Sequence, residues 1–235
     1  GYADVLPYFK RMERRIGGGD PTYRGQDGPL TVTDSDWFHP LCDAFIEGCT
    51  RLGIPRNADY NGASQAGVSY SQRAIFKGRR MSAARAFLRP VLKRPNVTLH
   101  THAHVTGLVL EGKRAVGVGY RRGGRDGAAT EIRARREVIL SGGAYNSPQL
   151  LQLSGIGPAP LLQSLGIPVR HAIAGVGEGL QDHYAPRTVA RVRNARTINE
   201  QARGLSLMGE ALKWAVTRKG ILSIPPTVVY CFWSS

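Results

Sequence analysis

Apolar residues recur at two different spacings along the chain, helical in the first part and alternating in the middle. From Asp4 to Glu13, Leu6, Phe9 and Met12 fall three apart, which predicts a short helix with Asp4 as its cap. Gly17 to Pro21 breaks that pattern, residues 23–29 are expected to be loop, and Leu30 to Thr33 is a short strand. Pro40 to Leu52 predicts an amphipathic helix entered at His39 and stopped by Gly53 and Pro55. Its apolar stripe is Leu41, Ala44, Phe45, Gly48 and Leu52. Residues 59–67 are polar and predict a loop. Ser82 starts a further helix through Leu92, interrupted at Pro90 and ended by Pro95.

From Val97 the spacing becomes two. Val97–Val105, Gly107–Leu110 and Ala115–Tyr120 predict consecutive strands, Glu111–Lys113 a tight turn between two of them, and Thr130–Arg135 the continuation of a meander. Glu137 to Leu140 then has the continuous apolar character of a buried strand. It leads through Ser141, Gly142 and Gly143 to a helix that Ser147 would cap and Pro148 would enter in its first turn. Gly1 to Met12 has the character of the middle of an ordered segment. The β-rich run from Thr227 stops without a turn signal, where a strand would be an edge without a partner. The expectation is an internal portion of a longer protein.

Composition narrows the classes. At 235 residues, 42% hydrophobic and with 29 glycines, the chain can bury one core or form two smaller lobes. It has no uninterrupted apolar run of membrane-spanning length and no secretory signal pattern. Cys42 and Cys49 lie about 10 Å apart along a helix axis, beyond the roughly 7 Å Cα separation that a disulfide tolerates. Cys231 stands alone, so the cysteines suggest reduced packing residues of a cytoplasmic protein.

The net charge of +15 raises nucleic acid as a partner. The basic residues Arg79, Arg80, Arg85, Arg89, Arg121, Arg122, Arg133, Arg135 and Arg136 are spread out, however, without interleaved aromatics or a helix-turn-helix or zinc pattern. No nucleic-acid partner is therefore expected. An anionic cofactor, or peripheral contact with membrane headgroups, remains compatible with the charge. His100, His102 and His104 alternate, so on a strand they would share one face at about 7 Å intervals. No carboxylate or cysteine accompanies them, and a polar strand face without metal is the expectation.

The strand, glycine turn and helix from Val138 to Leu153 is the candidate site. Small residues let a ligand approach the backbone, and a helix N-terminus offers unpaired N–H groups to a phosphate or ribose. Gly143 to Gly157, Gly-Ala-Tyr-Asn-Ser-Pro-Gln-Leu-Leu-Gln-Leu-Ser-Gly-Ile-Gly, resembles the second signature of the glucose–methanol–choline oxidoreductase family at every constrained position. Asp4–Lys10, Gly28–Val32, Gly78–Leu88, Gly112–Val118, Arg135–Ser141 and Gly175–His183 are similar to further blocks of that family, especially its choline dehydrogenase-like branch. Gly179 and Tyr184 depart from it, where the family usually has Asn and Pro.

The resemblance implies a mixed α/β (α+β) fold, part of an FAD-binding Rossmann-like domain with a β-meander plus parts of a substrate domain. The expected portions are residues 1–81 (substrate domain and lid-like), 82–185 (FAD-binding) and 186–235 (the start of a substrate-binding portion). It implies FAD as cofactor, with Val105 offering backbone contacts to the adenine and Ser141, Gly142 and Gly143 beside the adenosine and pyrophosphate. Tyr145 and Ser147 would lie nearby. The implied reaction oxidises an alcohol, choline-like or another primary alcohol, to an aldehyde, with hydride passing to flavin and then electrons to an acceptor. The dinucleotide fingerprint Gly-x-Gly-x-x-Gly is absent, and the family's catalytic histidine would lie beyond Ser235. No catalytic residue is assigned, His183 included, and the chain alone is expected to be inactive and to hold FAD weakly. The alternative class is a non-catalytic basic module that binds nucleic acid or acidic surfaces.

Overall fold

The computed structural model describes residues 1–234. In chain order the elements are α1 (Tyr2–Met12), β1 (Glu13–Ile16), β2 (Leu30–Thr33), α2 (Pro40–Arg51), β3 (Gly67–Tyr70), β4 (Ile75–Phe76) and β5 (Arg79–Arg80). Next come β6 (Ala103–Glu111), β7 (Arg114–Arg122), β8 (Ala129–Arg133), α3 (Gly143–Leu153), β9 (Ile156–Gly157), α4 (Ala159–Ser164) and β10 (His171–Ala172). The last are α5 (Ile198–Gln201), α6 (Gly204–Thr217) and β11 (Val229–Phe232). Helices and small sheets are mixed, as the fold class anticipated. No helix among the described residues is long and apolar enough to cross a membrane. Contacts divide the described residues into two units, residues 1–97 with 189–234, and residues 98–188.

In the first unit β1 runs parallel to β2, and β11 pairs antiparallel with β3. The strand near the C-terminal end therefore has a partner within the chain, because β3 supplies an edge that the polar neighbourhood of Gly67 concealed. The core is Ile46, Cys49 and Val68, with Ile54, Tyr70, Val229 and Cys231 packed against it. Burying side chains such as Ile46 and Val68 stabilises by about 1.5–3 kcal/mol each. The expected stripe of α2 is not the buried one: Phe45 is 48% and Leu52 82% exposed. β3 and β11 meet the adjacent stripe at Ile46 and Cys49, which Cys42 extends by one turn so that apolar residues recur at i, i+4 and i+7. Cys231, solitary in sequence, joins Cys49 in this cluster.

Helix ends follow local chemistry. His39 caps α2, its Nδ1 accepting the Leu41 N–H at 3.2 Å. α1 begins before Asp4, which occupies the third helical position instead of the cap. The expected helix from Ser82 is a π-helical turn, Ala84–Leu88, followed by a tight 3₁₀ turn, Arg89–Val91. Pro90 has no N–H for an α-type bond, and the Arg89 N–H reaches back five residues to the Ala84 carbonyl.

Arg24, 2% exposed, anchors the same unit. Its Nε donates to Glu13 Oε2 at 3.0 Å and its Nη1 to Gln72 Oε1 at 2.9 Å, and it forms an ion pair with Asp59. Burial pulls the Arg24 guanidinium down, but Glu13 and Asp59 outweigh it and hold it above its ordinary value.

The second unit is built on the three-stranded meander β6-β7-β8, closed by the expected turn at Gly112 and Lys113. Strand pairing begins at Ala103 opposite Arg122, so residues 97–102 are not strand, and the expected strand there merges with its successor as β6. His102 adopts a positive φ of 53°. His100 and His102 therefore do not share a strand face with His104.

Residues 137–141 are a further correction: they form no strand, and Ile139 is 76% exposed. Val138, Ile139 and Leu140 have the composition of an interior strand, but among the described residues no strand lies alongside to complete the ladder.

Candidate functional site

The site lies within the second unit. β6 is the outer strand of its sheet, with a register shift between Val105 and Gly107 that bends it beside the cavity. α3 packs against β6, and residues 137–142 cross between the meander and the start of that helix. With β7 and β8 they line an open cavity of about 860 Å³.

The signature sequence sets the position of α3. Ser154, nearly buried, accepts the Leu108 N–H with its hydroxyl oxygen at 2.8 Å and donates to the Leu150 carbonyl at 2.6 Å. Gly155 follows at φ +83°, where an added Cβ would lie 2.4 Å from the Pro168 carbonyl oxygen. Ile156 and Gly157 then form β9 against β10. At the end of the motif, Ser154 thus tethers the helix, Gly155 turns the chain, and Ile156 and Gly157 pair it.

At the other end the helix begins at Gly143, with Gly142 as its cap and no side-chain cap bond. Gly143 has φ +85° with open space around it. The expected role of Ser147 changes: it is the fifth helical residue, and its Oγ accepts the Gly142 N–H at 2.9 Å. Pro148 lies inside the helix, beyond the first turn, because Gly143 carries the chain into the helix early. The Gly142 amide is therefore taken by Ser147, and the first-turn N–H groups of α3, at Gly143 to Tyr145, belong to residues outside the cavity lining.

Of the six residues singled out from the sequence, Val105, Ser141, Gly142 and Ser147 line the cavity. Gly143 and Tyr145 do not; Tyr145 is 72% exposed. The lining also includes Asn146, Gln149, Leu150 and Leu153. Their i, i+3, i+4 and i+7 spacing on one helix face was available in the sequence as a signal. Arg125, Arg133 and Glu137 add charge, and Arg133 is paired with Glu111 and Glu131. Among the described residues no group of three His, Cys, Asp or Glu side chains is placed to hold a metal ion.

One face of the β6-β7-β8 sheet, the glycine turn and one face of α3 thus share a single open cavity. The chain belongs to the GMC oxidoreductase family, whose model matches residues 1–185. It is 51% identical over 183 residues to an oxygen-dependent choline dehydrogenase of Sinorhizobium medicae, a match covering 77% of this chain and 32% of the relative. It is 50% identical over 185 residues to the protein of the same name from Pseudomonas putida, with the same shares covered. The chain thus spans about a third of the length of the curated relatives it matches.

Among solved structures it is similar to an FAD-dependent oxidoreductase from Chaetomium thermophilum, with TM-score 0.85 and 27% identity over 97% of this chain and 42% of that one. It is also similar to pyridoxine 4-oxidase from Mesorbium loti, with TM-score 0.68 and 36% identity over 74% and 34% of the two chains.

Proposed function

We propose that this chain forms the adenosine side of the FAD site in an enzyme that oxidises a primary alcohol, choline or a choline-like compound, to the aldehyde. The observation that carries the reading is the cavity between the β6-β7-β8 sheet, residues 137–142 and the Asn146–Leu153 face of α3. The donor set fits the cofactor. The polar Ser141, Asn146, Ser147 and Gln149 of the lining suit ribose or phosphate oxygens, and a Cβ at Gly142 would press on Asn146 and Ser147 at 3.1–3.3 Å. The β6 backbone at Val105 would hold the adenine, while Ser141, Gly142 and Ser147 border the ribose and pyrophosphate. When bound, the flavin supplies the two-electron chemistry by accepting the substrate hydride.

No side chain of this chain is assigned the alcohol proton. The proposed substrate class follows the names of the relatives, and the reaction needs an electron acceptor. The Gly-x-Gly-x-x-Gly turn is not in this sequence, so contacts are lost while the entropy cost of association remains. FAD titration followed by flavin fluorescence tests the reading. Weak, saturable binding that Gly142→Val weakens severalfold is expected, with no dye reduction in the presence of choline. Equal binding by Gly142→Val would sink the site. Submicromolar affinity or dye reduction would show that these residues hold far more of the active centre.

A further inference from the structure

A second candidate site lies in the first unit, where the β4–β5 hairpin meets the π-helical turn. Arg79, Arg80, Arg85 and Arg89, with Ser82, line an open depression of about 310 Å³. The scaffold is fixed from several sides. Ile75 pairs with Arg80 and Phe76 with Arg79, the Met81 N–H donates to the Ala74 carbonyl at 2.8 Å, and Trp214 Nε1 donates to the Gly78 carbonyl at 2.9 Å. Ala86, 4% exposed, anchors the turn.

The charge in this depression is uncompensated. Arg15, Arg24, Arg51, Arg56, Arg73 and Arg133 each pair with a carboxylate. Among the described residues none of the four lining guanidiniums does so, and none makes a side-chain hydrogen bond. The sequence offers no local remedy, because no Asp or Glu occurs between Asp59 and Glu111 while eight Lys and Arg residues do. Four cations held around one depression repel one another, and an anion in their midst reverses that cost. Planar guanidiniums grip phosphate oxygens two at a time, and the Ser82 Oγ, which accepts the Arg85 N–H at 3.3 Å, keeps its own proton to donate. The lining has no aromatic surface on which a base would stack.

We propose that Arg79, Arg80, Ser82, Arg85 and Arg89 form a phosphate-binding site, distinct from the cavity at α3, for a diphosphate or phosphate ester, free or as a lipid headgroup. Isothermal titration of inorganic pyrophosphate into the 235-residue chain tests it. The expected result is saturable one-to-one binding, weakened about tenfold by Arg80→Gln or Arg89→Gln, each a loss of charge-assisted bonds, and left unchanged by Arg121→Gln. Arg85→Lys, which keeps the charge but loses the fork, is expected to weaken binding less, and circular dichroism checks that each variant is folded.

Sedimentation with phosphatidylglycerol and phosphatidylcholine vesicles separates the two sources. Capture by phosphatidylglycerol that Arg80→Gln abolishes and pyrophosphate cannot displace assigns the site to headgroups. Displacement, or absence of capture alongside pyrophosphate binding, assigns it to a free phosphate compound. Binding of neither probe, or equal weakening by Arg80→Gln and Arg121→Gln, overturns the proposal.

Discussion

The Ser154 hydroxyl oxygen receives the N–H of Leu108 at 2.8 Å, joining the end of α3 to the middle of β6. Ser154→Ala leaves that N–H without its acceptor in a nearly buried position. A loss of about 1–3 kcal/mol is expected, measured by urea denaturation. Ser154→Thr, which keeps the hydroxyl, is expected to lose less if its extra methyl is accommodated.

Two glycines of the same region separate backbone strain from collision. Gly143→Ala meets only the left-handed backbone cost, about 1–2 kcal/mol, because nothing lies within 4 Å of the added carbon. Gly155→Ala meets the same strain and the Pro168 carbonyl at 2.4 Å as well. Its destabilisation is expected to be clearly larger, and equal midpoint shifts for the two variants in thermal denaturation would contradict this account.

Arg24→Met strands Glu13 and Asp59 without their shared cation. Their side chains stay 18% and 24% exposed, so the loss is expected near the low end of the range for broken buried pairs, about 3 kcal/mol. Adding Glu13→Gln and Asp59→Asn is expected to restore part of it. A triple variant no more stable than Arg24→Met would rule out charge as the cause.

Alkaline stability depends on Tyr70. Burial, and then its hydrogen bond to Asp43 Oδ1 at 2.7 Å, pushes the hydroxyl up to about 12. The fold favours the neutral phenol, so its contribution is whole below the unfolded value of about 10 and is lost as pH rises through about 12. Stability of the wild type is expected to fall more steeply across that window than that of Tyr70→Phe. Parallel pH profiles would remove Tyr70 as the cause.

What could be read in advance was local. Leu30–Thr33 and the Gly112–Lys113 turn were legible because their pairing partners or turn residues lie near in sequence or carry an unmistakable alternation. The buried face of α2 was not, since both Leu41–Phe45–Leu52 and Cys42–Ile46–Cys49 recur at helical spacing. The choice between them is made by β3 and β11, far away in the chain. Residues 137–141 misled for the opposite reason: apolar composition makes a strand attractive, but only a neighbouring edge makes it one. At the cavity, Val105, Ser141 and Gly142 were singled out through the family resemblance, whereas the Asn146–Leu153 face required following one side of the helix through the motif.

The first unit is discontinuous, and this sets an order of events during synthesis. The meander β6-β7-β8 closes between neighbours, so its contacts can form as soon as residues up to Arg133 have left the ribosome. β3 must wait for its partner, because Val229 to Phe232 are made only after the whole second unit. Until then Val68 and the inner face of α2 lack the strand that completes their cover. A nascent chain arrested shortly before Val229 is expected to have a folded meander and a protease-sensitive α2, with Ile46 and Cys49 open to chaperones.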